Sequence, residues 1–169
     1  MSEDFNKLRL MTRKLVKTEF RKPWQFRVEI EGAPADFDLF VKDISFGPTQ
    51  VENEAEKVGA STITWPTGLS PVKLSMTMRD HQDLRVSKWF DSWSGKVVNS
   101  DGTVNLPYGT NGYVKKGKLY ALKDDLSETV EDTWEIYPDQ RGDVSMSRDG
   151  DGFLEFPCTF QQFRTNDTP

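Results

Sequence analysis

In Gln25-Phe26-Arg27-Val28-Glu29-Ile30-Glu31 apolar side chains alternate with charged or amide ones. A period of two places Phe26, Val28 and Ile30 on one face of a half-buried strand. Gly32-Ala33-Pro34 interrupts the pattern, and it resumes over Asp36 to Ile44 with Phe37, Leu39 and Val41, so the short connection predicts a hairpin. After Gly47-Pro48, Val51, Asn53 and Ala55 oppose Gln50, Glu52, Glu54 and Glu56. The return segment Ser61 to Trp65 makes Thr49 to Trp65 a second, longer hairpin with its tip at Val58-Gly59-Ala60. Its faces are too polar to belong wholly to a core.

The same period recurs in Val72, Leu74, Met76 and Met78, and reads as strand again over Tyr113 to Leu122, Thr133 to Tyr137 and Phe153 to Phe163. Pro157 has no amide hydrogen to give a ladder, which predicts an edge position or a bulge in the last of these. Between Gln82 and Ser94 the period changes. Val86, Trp89, Phe90 and Trp93 fall at i, i+3, i+4 and i+7, so one helical stripe carries three aromatics, and Gly95 stands where a glycine cap is expected. Asn99 to Gly112 reads as an exposed loop, and Ser2 to Lys17 as a further helix that orders against a partner. Strands at short spacing with one long helical pattern predict a mainly β fold: an antiparallel barrel or sandwich of about seven strands, one packed helix and a long hairpin.

The 169 residues suit one domain around one core. The net charge of -5 argues against a generally basic nucleic-acid binder, but it is unevenly spread. Met1 to Pro23 carries seven bases against three acids, and the rest 15 bases against 24 acids. The expected organisation is a basic arm over residues 1–22, a β domain over 23–165 and a tail over 166–169. One reading of the arm is a solubilising tail. The other is docking through Lys7, Arg9, Arg13, Lys14 and Lys17 on an acidic neighbour, including a second copy of the chain.

No apolar run approaches the ~18 residues that span a bilayer, so no membrane partner is expected. The single cysteine, Cys158, cannot close an internal disulfide, which suits a reducing cytosol, and with the single histidine, His81, it is too little for a closed zinc site. His81 reads as part of a helix start and Cys158 as a buried thiol. Ser147-Arg148-Asp149-Gly150-Asp151-Gly152 has the look of a calcium loop, but its twelfth position would be Cys158 and a strand follows, so it reads as an Asp-Gly turn. No phosphate loop, dinucleotide fingerprint or nucleophile elbow is present. No catalytic residue, cofactor or metal is therefore expected, and the chain reads as a non-enzyme. Glu52, Glu54 and Glu56 are more telling: three carboxylates on one face of a strand repel one another and must face water.

The order of these elements resembles the tail tube proteins of contractile-tailed bacteriophages. The resemblance runs from Pro23 to Arg164. It is carried by Pro23-Trp24-Gln25-Phe26-Arg27-Val28-Glu29-Ile30-Glu31 at the start and Thr133-Trp134-Glu135-Ile136-Tyr137-Pro138, Gly142-Asp143-Val144-Ser145, Leu154-Glu155-Phe156 and Thr159-Phe160-Gln161 at the end. Trp65-Pro66-Thr67-Gly68, the Val72 to Met78 strand and Trp89-Phe90-Asp91-Ser92-Trp93 lie between.

The resemblance implies a subunit of hexameric rings that stack into a hollow tube inside a contractile sheath. The implied partners are other copies of the chain, the sheath, tape-measure, baseplate and tail terminator proteins, and DNA that passes without specific binding. The implied location is the virion tail, assembled in the host cytoplasm. Glu52, Glu54 and Glu56 would face the lumen, where they would repel phosphates, and Val58, Gly59 and Ala60 would reach the next ring. Rival readings are a baseplate-proximal ring, a type VI secretion tube-like protein, or a small carbohydrate-binding barrel using Trp24, Trp65 and Trp134.

Overall fold

The computed structural model describes residues 2–47 and 50–165. Thr49, the expected start of the long hairpin, and the tail 166–169 lie outside the described residues. Helix α1 (Ser2–Lys17) precedes β1 (Phe26–Ile30), a 3-10 turn (Phe37–Phe40) and β2 (Val41–Phe46). Strands β3 (Val51–Val58), β4 (Ser61–Leu69) and β5 (Lys73–Arg79) follow, then α2 (Arg85–Ser94), β6 (Lys115–Leu122), β7 (Glu128–Arg141) and β8 (Glu155–Gln162). Six strands form one antiparallel sheet in the order β1-β6-β7-β8-β5-β2, while β3 and β4 pair only with each other. The mainly β architecture is as the alternation predicts, with eight strands.

The core follows from register. Leu74, Met76 and Met78 of β5 stand opposite Phe160, Cys158 and Phe156 of β8, so directly paired side chains share the inner face, and all six are at most 1% exposed. The α2 stripe closes over this layer: Trp93 and Phe90 pack on Phe160 with ring centroids 5.5 and 5.6 Å away. Burying each such aromatic contributes about 2–3 kcal/mol. Trp93 also donates from Nε1 to the Tyr113 carbonyl at 2.6 Å, so its one polar atom is satisfied. The helix begins three residues later than its pattern predicts, because the Asp80 carboxylate accepts from the His81 and Val86 amides and from the Ser87 hydroxyl, holding 81–84 as a turn. His81 sits in that turn, as its position suggests.

Three expectations are corrected. Phe37 to Phe40 is a 3-10 turn with Leu39 75% exposed, and β1 and β2 do not form a hairpin, since they lie at opposite edges of the sheet. The reason is local: Asp36 takes a left-handed φ of 58°, and the Asp38 carboxylate accepts the Val28 amide at 2.8 Å on the β1 edge. Pro157 lies in an interior strand rather than at an edge, and its register with β5 runs through without a bulge. Its missing donor costs little because the last β7–β8 pair is Arg141 with Cys158, and beyond it only Gly142 bonds across, donating to the Pro157 carbonyl at 2.7 Å. A Cβ on Gly142 would come within 2.4 Å of the Pro157 ring, so glycine is required there. Gly95 caps α2 without the expected left-handed geometry, at φ -64°.

Candidate assembly surfaces

The β3–β4 hairpin is tied at its base by the Ser70 amide, which donates to the Gln50 carbonyl at 2.9 Å, and all its residues are exposed. Val58 pairs with Ser61 across a two-residue turn, and Gly59 takes φ +63°, a conformation that favours glycine in so tight a loop. Strand alternation puts Glu52, Glu54 and Glu56 on one face. The register adds what the sequence alone did not reveal: Glu54 stands opposite Trp65 and Glu56 opposite Ile63, so the acidic row shares its face with two apolar side chains. A bulge between Glu52 and Asn53 leaves Glu52 beside Gly68, where its carboxylate accepts from the Ser70 hydroxyl at 2.9 Å.

Helix α1 is amphipathic. Leu8, Met11 and Leu15 recur at i, i+3 and i+7, while Arg9, Arg13 and Lys17 form a second stripe at i, i+4 and i+8, and Lys7 and Lys14 border the apolar stripe beside Met11. All these side chains are exposed, Met11 at 70%. A 16-residue helix is about 24 Å long, and on its own such a helix is marginal in water.

A third feature was not legible in the sequence. The two sheet edges β1 and β2 leave an open groove of about 700 Å³ between them, lined by Phe26, Ile44, Phe46 and Leu119 with Trp24 at its lip. Its two bases are already engaged, Arg21 with Glu131 at 2.7 Å and Lys42 with Glu155 at 2.6 Å, which leaves Asp38 and Asp43 to set its charge. Trp134, by contrast, is 6% exposed and packs on Phe46 with ring centroids 5.5 Å apart, so Trp24, Trp65 and Trp134 do not make a common stacking platform.

Glu135 is another residue that the alternation did not single out. It is 8% exposed, accepts from Tyr108 Oη at 2.6 Å and from Arg164 Nε at 2.7 Å, and so joins the 99–112 loop and the segment just after β8 to β7. The Tyr108 hydrogen bond, with Arg164, holds its carboxyl below the usual range. A depressed folded-state pKa adds stability above the ordinary carboxylate value of ~4.3, and that contribution is lost as pH falls through the folded value. The Glu135→Gln variant is accordingly expected to unfold with a weaker dependence on pH between about 5 and 3 than the native chain, read from urea midpoints at each pH.

Cys158 is fully buried, and burial pushes its thiol up to about 12, which suits an inert core side chain. Among the described residues no three His, Cys, Asp or Glu side chains gather as metal ligands would, and no helix is long and apolar enough to cross a membrane.

No protein-family model and no curated protein matches the chain. Solved structures do. A chain of the PVC sheath-tube complex, from an extracellular contractile injection system in its extended state, is similar with a TM-score of 0.62 at 10% identity, over 90% of this chain and 94% of that one. A chain of the sheath/tube terminator of the PVC system gives 0.60 at 13% identity, over 87% and 96%. The tube terminating cap of the anti-feeding prophage gives 0.64 at 9% identity, over 87% and 89%. The fold is thus shared with chains of a sheath-tube complex, a sheath/tube terminator and a tube terminating cap of contractile systems.

Proposed function

We propose that the chain is a structural subunit of the tube in a contractile tail. It forms hexameric rings that stack into a hollow conduit for DNA, with the tape-measure protein inside and a sheath outside. The observation that carries this is the β3–β4 hairpin, a two-stranded sheet that buries none of its residues in a lone molecule, on a fold shared with tube components. An isolated two-stranded hairpin is marginally stable, and strands exposing Val58, Ile63 and Trp65 gain by lying against further strands. In the tube, Val58, Gly59 and Ala60 reach the neighbouring ring. Glu52, Glu54 and Glu56 face the lumen, where a negative wall lets phosphates pass without being held. The arm bases Lys7, Arg9, Arg13, Lys14 and Lys17 engage a neighbouring copy, whose body is acidic.

A second reading, a ring at one end of the tube, is favoured by the likeness to terminator and cap chains. Electron microscopy of the purified chain over a concentration series separates the readings. Stacked tubes are expected for a main subunit and single rings for an end component, whereas monomers alone at high concentration would refute both. A map of the tubes with the three glutamates on the outer wall would refute the lumen assignment.

A further inference from the structure

We propose that the apolar face of α1 docks in the β1–β2 groove of a second copy of the chain, which makes the arm a helix-in-groove connector as well as a patch of charge. The inference rests on the self-assembly reading above and names the surface that receives the arm. Three observations carry it. First, the groove and the helix face match in chemistry: Trp24, Phe26, Ile44, Phe46 and Leu119 on one side, Leu8, Met11 and Leu15 on the other, with α1 long enough to lay two turns of apolar residues along it.

Second, the charges agree. Arg9, Arg13 and Lys17 lie across the helix from the apolar stripe and Lys7 and Lys14 border it, so bases flank a helix seated on a surface where Arg21 and Lys42 are paired and Asp38 and Asp43 remain; beyond the groove, the body carries a large excess of acids. Third, a chain does not fill its own groove. Helix α1 ends at Lys17, only five residues, Thr18 to Lys22, separate it from Pro23 on the groove lip, and its apolar side chains stay exposed. The groove is thus left open by its own chain, and the helix of another copy can occupy it.

The test uses full-length chains. One variant carries Met11→Cys and a size tag, the other Asp43→Cys; both changes are on exposed side chains, and the native Cys158 is buried and unreactive. The two are mixed, assembled and treated with a short bis-maleimide. A cross-linked band of mixed size, several-fold stronger than in either variant alone, is the expected result. Rings or tubes in the micrographs without that band would overturn the docking inference and leave the tube reading standing. No assembly at any concentration would overturn both. A chain carrying both substitutions, diluted among native chains, should not cross-link internally; if it does, the helix sits in its own groove and the inference fails.

Discussion

The Phe160→Ala variant is expected to lose about 3–5 kcal/mol of folding free energy. Phe160 has no solvent exposure, carries Phe90 and Trp93 of α2 on its ring, and stands between Leu74 of β5 and Pro138 of β7 in the sheet. Removing the ring loses its transfer free energy and leaves a cavity that the helix can fill only by tilting. Domains of this size are held by about 5–15 kcal/mol in all, so the loss removes a large share of the stability. Phe160→Leu keeps most of the volume and is expected to cost less than half as much. Urea midpoints measured on dilute, unassembled protein provide the comparison. A loss under ~1 kcal/mol for the alanine variant would mean that α2 is not seated on β8.

Replacing Val51 to Leu69 with a short Gly-Ser turn is expected to have the opposite profile: folding unchanged, assembly abolished. The hairpin leaves the sheet between Gln50 and Ser70, already joined by a backbone hydrogen bond, so the excision closes over a short gap. Every residue removed is exposed, which limits the change in folding free energy to about 1 kcal/mol. Sedimentation should then find a single small species at concentrations where the intact chain forms rings or tubes. Rings of normal size from the excised chain would show that the hairpin is dispensable and would remove the main support for the stacking reading.

Much of this architecture was legible from period alone. Strands β5 and β8 have one wet and one dry face, and the aromatic stripe of α2 has a helical period, so each could be found from its own residues. What failed involved information that is not local. Phe37 to Phe40 has a strand's alternation, but Asp38 is drawn to an amide ten residues earlier, and that contact settles the turn. The first half of β7, Glu128 to Asp132, has no apolar alternation and is a strand because β6 lies beside it. Of the candidate surfaces, the acidic row and the hairpin tip could be read from sequence, whereas Ile63 and Trp65 joined the acids only once the register was known. The groove has no sequence signature, since its walls come from chain segments far apart.

The separation of the hairpin from the main sheet also has a kinetic side. The body closes through distant partners, Phe26 with Ala121 and Lys73 with Gln161, and domains built on such contacts fold in milliseconds to seconds. The β3–β4 pairing spans a two-residue turn and forms in about 1–10 μs. During synthesis the hairpin therefore forms and opens many times before the domain that carries it closes, each time displaying Val58, Ile63 and Trp65. Charge on Glu52, Glu54 and Glu56 keeps such early hairpins apart, so the same carboxylates act as gatekeepers against premature strand pairing while the rest of the chain is still being made.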